Sequence, residues 1–488
     1  MKPTSNAFLL AAGLATACGQ ELDVGDKPIN LDPGSSEGGE GSSGAGDDAA
    51  EGASATSGAT TGGPSEVAPA CEFASEIATA TDWGVACGGT GNEYIRATAV
   101  DGTGAIYNVI QFEGGSGEAV PFGDDEFTVG IQPSTLVNKI SATGEILWTR
   151  EFKGATTWWS GSSIAACNDR VFVGANHSGS EVLDFGTGPI DGNFAVVALD
   201  ADGDTLWAMA TGQDDEFSGG FPTGTVRCDD DGGIAIHGDA TADIAFGDVM
   251  ISGGGGNGNI AGYVVALDHD GNASWGASSP LGSMTAARGG SGELVTLAHG
   301  PGALVLTSRD DTGAQQWQEE FPATGTVYAT NTIIDSAGNA IISGVFTGEL
   351  DLGGVPLVNT DPPIDGGFPG QDPIPSFDGF VAAYAADGTH LWSLALSAGA
   401  SDNALLARIS ADGTPAVVWG KETSASLVSI DGGTVVPLLD LPGSSATLQT
   451  VTGHANGGFA LGYGQVPDFA SGLTARGSYD MVVTRVDL

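Results

Sequence analysis

Ala198-Leu199-Asp200-Ala201-Asp202-Gly203-Asp204-Thr205-Leu206-Trp207 reads as an apolar strand, a tight Asp/Gly turn and a second strand carrying a tryptophan. Asp-x-x-Gly turns adopt positive φ at little cost, and the apolar and β-branched runs beside them suit a pleated, buried surface, so the stretch is a β-hairpin. Related copies occupy residues 138–148, 266–275, 307–317 and 384–392. A second pair of strands precedes most of these hairpins, as in 97–107 and 332–342. Each unit therefore holds four short strands. Four-stranded units copied in series, with almost no helical periodicity between them, predict an all-β chain folded as a β-propeller.

The tryptophans set the number of blades. Trp83, Trp148, Trp207, Trp275, Trp317 and Trp392 end or sit in outer strands, and Thr434–Leu441 is a degenerate seventh copy without the indole. The last blade has three strands of its own, at 447–452, 458–464 and 479–487, and lacks a fourth. Residues 79–85, around Trp83, have no strand before them to pair with and can supply it. The expectation is a seven-bladed β-propeller over residues 71–488, closed by exchange of an N-terminal strand into the last blade. Such closure removes the exposed edges that invite aggregation.

The run from Asp378 through Gly379-Phe380-Val381-Ala382-Ala383-Tyr384 to Asp387-Gly388-Thr389-His390-Leu391-Trp392 resembles the repeat of bacterial cell-surface propeller proteins of the SBBP type. It is more distantly similar to quinoprotein-type propeller repeats. The resemblance covers roughly residues 79–488 and implies the fold and a cell-surface setting, but no particular activity. Quinoproteins would imply a quinone and calcium; the adjacent cysteines of such enzymes are absent here, so no quinone is expected.

Residues 1–18 read as an export signal, with Lys2 as the positive end, 7–15 as the apolar core and Ala15-Thr16-Ala17-Cys18 as a small-residue cleavage site. The site resembles a bacterial lipobox, which implies acylation of Cys18, and Gly19 after it implies the outer membrane. Cleavage near Ala17 by an ordinary signal peptidase is the alternative. Residues 19–70 are Gly, Ser, Ala, Thr and acid, too poor in large apolar side chains to offset the entropy of ordering. They read as a disordered tether with a reach on the order of 40 Å. No other apolar run approaches the roughly 20 residues needed to span a bilayer.

With 14 basic residues against 61 acidic ones, the net charge of −47 argues against nucleic acid or anionic lipid as a ligand. Divalent cations or a cationic partner fit it, and so does an acidity that only serves solubility. Beyond Cys18, the four cysteines Cys71, Cys87, Cys167 and Cys228 suggest two disulfides in an exported chain. Three pairings are open; Cys71 with Cys87 and Cys167 with Cys228 is preferred. None forms Cys-x-x-Cys, which speaks against zinc and redox exchange.

Strand order assigns loops to faces. The turns between strands one and two and between three and four share one face. The connections from two to three and from blade to blade share the other, and they carry the length variation, from His299-Gly300-Pro301-Gly302 to a Pro/Gly-rich insertion at about 352–377. Variable loops on a rigid ring commonly carry binding sites. Tyr94, Trp158, Trp159, Phe217, Phe221 and Tyr328 fall on this long-loop face and are the candidate ligand-binding residues, as a platform for sugar or peptide. Trp158 and Trp159, as neighbours in extended chain, cannot both enter one core. Packing between blades is the competing use of these rings.

The spacing Asp200-x-Asp202-Gly203-Asp204 is that of half a calcium loop, but Thr211 stands where the closing acid belongs, so a hairpin turn accounts for it better. Asp214-Asp215-Glu216 and Asp229-Asp230-Asp231 are the clusters at which a structural calcium is conceivable; no other cofactor is expected. The repeats at 79–488 hold no Gly-x-Ser-x-Gly, and the chain has no His-Glu-x-x-His. His177, His237, His269, His299, His390 and His454 show no ligand spacing, with His269 and His390 expected to be exposed at turns. No catalytic residue is singled out.

The function expected from sequence is a non-enzymatic, lipid-anchored envelope protein. It would be a monomer that binds a protein or glycan through the long-loop face and meets the membrane only through its anchor. The alternatives are a polysaccharide hydrolase or lyase with carboxylates in the central channel, and an outer-membrane assembly scaffold.

Overall fold

In a computed structural model, the predicted hairpins assemble into seven antiparallel sheets whose strand order follows the chain. The structure describes residues 71–75, 83–88, 92–113, 119–122, 125–128, 134–152, 163–167, 169–176, 183–190, 192–211, 223–229, 232–255, 259–363, 373, 375–397, 399, 402–409, 414–420, 424–441, 448–453, 458–463 and 481–487. The export signal with Cys18 and the 19–70 tether lie outside these.

Blades 1 to 6 occupy residues 92–152, 163–211, 223–279, 284–322, 327–396 and 403–441. The first strand of each blade touches the first strand of the next, and Leu448–Gly453 of blade 7 touches Asn92–Val100 of blade 1, which closes the ring. Blade 7 is completed as expected. Trp83–Cys87 pairs antiparallel with Met481–Asp487, Trp83 opposite Arg485 and Cys87 opposite Met481. The chain is an all-β, seven-bladed β-propeller with N-to-C strand closure.

One element was not foreseen. Cys71–Ser75 pairs with the outer side of Trp83–Cys87, so the closing strand does have a strand before it, and blade 7 carries five strands. Cys71 and Cys87 face each other in this register and are disulfide-bonded, and Phe73 stacks on Trp83 at 6.4 Å. Five residues with neither an Asp-Gly turn nor a tryptophan offered no local signal. Cys167 and Cys228 are also bonded, across Ser163–Cys167 and Thr223–Cys228, the first strands of blades 2 and 3.

Middle strands are covered on both faces by neighbouring blades, which is why they read as unbroken apolar runs. Every residue of Phe194–Leu199, Ala261–Leu267 and Asp378–Tyr384 is buried, whereas the outer strand Gln315–Pro322 is largely exposed. Short two-stranded ribbons are inserted between strands two and three of blades 1, 2, 3 and 5, and they bury Phe122, Phe185, Phe246, Leu350 and Leu352. These ribbons were hidden within what the sequence showed only as loops.

The tryptophans lock blade to blade. Five indole N–H groups each donate to a backbone carbonyl in the strand-three to strand-four turn of the next blade. The pairs are Trp83 to Ala142 (3.0 Å), Trp148 to Ala201 (2.9 Å), Trp207 to His269 (3.0 Å), Trp275 to Asp311 (2.9 Å) and Trp317 to Ala386 (2.7 Å). The turn is held ready by its aspartate: Asp200 Oδ1 accepts from the N–H groups of Asp202 and Asp204, both at 2.9 Å. That carboxylate is thus spent inside the hairpin, in keeping with a turn rather than a calcium loop.

The same geometry explains why blade 6 lacks a tryptophan. In blade 7 the third and outer strands come from opposite ends of the propeller sequence, so no hairpin turn joins them to receive an indole. Replacing Trp317 by phenylalanine removes one donor bond and is expected to cost about 1 kcal/mol in equilibrium unfolding. A loss below about 0.3 kcal/mol would show that the lock carries no energy.

Candidate functional site

Among the described residues, the long-loop face is most elaborate at the junction of blades 5 and 6. Blade 4 turns there within two residues, Gly300 pairing directly with Ala303. Blade 5 instead runs through the ribbon Glu349–Leu350 and Leu357–Val358 and a further insertion before its third strand starts at Asp378. The two feet of this insertion are stitched together. Asn359 Nδ2 donates to Phe346 O (3.3 Å) and Ser376 O (2.9 Å), and Ser376 Oγ donates to Asp361 O (3.0 Å). Asp361 N donates to Asn359 Oδ1 at 2.9 Å.

This stitching brings Asp361 beside Asp378. The chain entering blade 6 then adds Asp402, whose N–H donates to Phe377 O at 2.7 Å. Carboxylate oxygens of Asp361, Asp378 and Asp402 lie within 4.8 Å of one another, and among the described residues this is the one such group. Asp378 and Asp402 are only 1% and 3% exposed, and Asp361 is half-buried. Asp402 is oriented by Trp419 Nε1 (3.1 Å) and Gly399 N (3.2 Å). Asp361 Oδ2 and Asp378 Oδ1 are buried with no hydrogen-bond partner. Burial, with the charge of Asp361 and then that of Asp402 added, pushes the Asp378 carboxyl up to about 7, against a smaller pull from the Ser397 hydroxyl.

An aromatic ledge borders the cluster. Tyr328, near the start of the first strand of blade 5, packs edge-on against His299 of blade 4 at 5.4 Å and lies 6.0 Å from Phe377. Tyr328, Phe377 and Trp419 are all half-buried. Tyr94 occupies the equivalent position in blade 1, one residue before a bulge-flanking residue in each case, and there it stacks with Arg96 at 4.9 Å. Blades 1 and 5 are not neighbours, so the structure does not bring Tyr94 and Tyr328 into one platform. Trp158, Trp159, Phe217 and Phe221 lie outside the described residues, as do Asp214-Asp215-Glu216, Asp230, Asp231, His177 and His454.

Other sequence candidates are taken up elsewhere. Asp229 is buried, ion-paired with Arg288 of blade 4, and accepts from Gly233 N at 2.7 Å, so it serves its own turn and a blade contact. His269 is exposed, as expected. His390 is not: it is half-buried, 5.6 Å from the Tyr384 ring, with its Nε2 buried because the ribbon residues Gly353 and Gly354 fold over it. Sequence reasoning missed the three aspartates. Their signal was faint: Asp361 and Asp378 bracket the only long Pro/Gly insertion, and Asp402 ends the connection into the next blade.

No protein-family model and no curated protein matches the chain. Solved structures do. The Dos1 propeller is similar at 10% identity and a TM-score of 0.41, over 82% of this chain and 93% of that one. Quinohemoprotein alcohol dehydrogenase from Comamonas testosteroni is similar at 12% identity and a TM-score of 0.35, over 82% and 76%. Puromycin hydrolase is similar at 12% identity and a TM-score of 0.42, over 77% of this chain; the match spans 50% of the hydrolase. Likeness at this level is one of overall fold.

Proposed function

We propose that this propeller binds a polysaccharide on its long-loop face, at the junction of blades 5 and 6, as an exported envelope protein anchored through acylated Cys18. The observation that carries the reading is the meeting at one blade junction of three carboxylates with three half-buried rings: Trp419, which is bonded to Asp402, Phe377, which precedes Asp378 in the chain, and Tyr328, 6.0 Å from Phe377. Rings offer a stacking face to the apolar side of a sugar, and the half-buried Asp361 carboxylate is the one of the three placed to accept its hydroxyl hydrogens. The anchor rests on the lipobox-like Ala15-Thr16-Ala17-Cys18 and the cell-surface setting on the repeat resemblance.

A second reading, cleavage of the polysaccharide, has one specific observation in its favour. A carboxyl pushed up to about 7 with further carboxyl groups beside it is the kind of pair that general acid and base work uses. Against it stands the burial of Asp378 and Asp402, which keeps both from direct reach of a glycosidic oxygen.

A polysaccharide array probed with the full chain tests both. Binding is expected, with Tyr328→Ala weakening it about tenfold, roughly the value of one lost stacking contact. Release of reducing ends that stops in Asp378→Asn would establish cleavage instead. Failure to bind any polysaccharide would end both readings.

A further inference from the structure

Buried Asp229 has Arg288 and a backbone N–H. The blade 5 to blade 6 junction is built differently from the Asp229 site. Three carboxylates converge there, and among the described residues neither Asp361 nor Asp378 forms an ion pair with Arg, Lys or His. Asp378, 99% buried, leaves Oδ1 without a partner, and Asp361 leaves Oδ2 in the same condition. Buried polar oxygens without partners are uncommon in native proteins and call for a missing ion or water. Converging carboxylates, two of them with a buried oxygen left without a partner, make a place for a cation.

We infer that Asp361, Asp378 and Asp402 bind a calcium ion that ties the blade 5 insertion to the start of blade 6. All-oxygen donor sets select hard cations. An ion with bonds of about 2.3–2.6 Å reaches oxygens up to about 5 Å apart, which accommodates the 4.8 Å limit of this cluster. Magnesium, at about 2.0–2.1 Å, requires all three within about 4.2 Å and near-ideal octahedral geometry. Three protein oxygens leave several of calcium's six to eight positions for water or an incoming ligand.

The ion would also do structural work. Asp361 belongs to the insertion, Asp378 opens the third strand of blade 5 and Asp402 precedes the first strand of blade 6, so one ion joins three segments of the chain. The inference deepens the polysaccharide reading. It rests on that reading for the sugar oxygens that would complete the coordination, and on the aspartates alone for the ion.

The test uses the full chain after treatment with a chelator and its removal. Calorimetric titration with calcium is expected to show one saturable site, with a Kd between about 10 µM and 1 mM. Terbium in its place should luminesce on tryptophan excitation, because Trp419 is bonded to the ligand Asp402, and excess calcium should quench the signal. Trp419→Phe should lose the luminescence while calcium still binds by calorimetry. Asp378→Asn and Asp361→Asn should each weaken calcium at least tenfold, and Asp248→Asn, in an exposed ribbon turn, should not.

Absence of a saturable site overturns the inference, as does calcium binding that survives both Asp361→Asn and Asp378→Asn. Magnesium displacing terbium as well as calcium does overturns the identity of the ion. Calcium binding without polysaccharide binding supports the ion and sinks the polysaccharide reading. Polysaccharide binding with no calcium signal does the reverse.

Discussion

Gly313→Ala is expected to lower the unfolding free energy by about 2–4 kcal/mol, from a methyl group placed on the exposed rim of the ring. Gly313 sits in the blade 4 turn that receives Trp275, at φ +85°. Alanine in the left-handed region costs about 1–2 kcal/mol. Its Cβ would also lie 2.6 Å from Trp275 Cδ2 and 2.8 Å from Cγ, so the indole must move and its 2.9 Å bond to Asp311 O is put at risk. Overpacking of this kind adds about 1–3 kcal/mol. Gly203, under Trp148 at φ +82°, should behave alike. Gly102 provides the control, because it lies in a strand-one to strand-two turn, has no positive φ and would meet nothing within 4 Å. Gly102→Ala should stay within about 0.5 kcal/mol. Equal losses at Gly313 and Gly102 in denaturant titrations would refute the role assigned to the tryptophan lock.

Acid should weaken the ring through two buried histidines between pH 6.5 and 4. His237 Nδ1 donates to Met284 O at 2.9 Å, which leaves Nε2 as a buried lone pair with no partner; protonation would create an N–H with no acceptor. His299 Nδ1 accepts from Ala329 N at 3.2 Å, so a proton there would face another N–H. Burial pulls His237 down to about 3, aided by the Arg227 charge, and His299 down to about 4. Both folded values lie below the unfolded value near 6.5. Their stabilising contribution is therefore complete above pH 6.5 and is lost as the pH falls toward the folded values. At about 1.4 kcal/mol per pH unit, each histidine gives up roughly 3 kcal/mol by pH 4.5.

Burial acts with opposite sign on Asp239, pushed up to about 6, and on Asp378, pushed up to about 7. Protonating these in the folded state favours folding as the pH drops, so the profile of the native chain alone mixes both effects. The informative quantity is the difference from His299→Gln or His237→Gln, measured at pH 7.5, 6 and 4.5. The native chain should lose about 3 kcal/mol relative to either variant across that range. Parallel profiles would mean that the rings charge without cost.

Much of the architecture could be read locally. An Asp-x-x-Gly turn with a tryptophan beyond it specifies a hairpin wherever it occurs, because the turn's φ values and the aspartate's bonds to its own backbone involve only five residues. Blade 7's missing strand was likewise visible, since counting strands requires no coordinates. Cys71–Ser75 escaped notice because nothing within it announces pairing; its partner strand and the Cys71 to Cys87 bond supply the reason. The ribbons escaped for a similar cause. Phe122, Phe185 and Phe246 look like loop residues until the groove that buries them exists.

What the chain alone determined is the repeat, the seven blades, the closure and the face that bears long loops, all consequences of short-range turn and strand chemistry. What only the tertiary structure decided is the site. Asp361, Asp378 and Asp402 are separated by 17 and 24 positions and come from two blades. Among 61 acidic residues nothing in the sequence distinguishes these three. Their convergence depends on how Asn359 and Ser376 close the insertion and on how blade 6 seats against blade 5, and such long-range geometry leaves no periodic trace in a sequence.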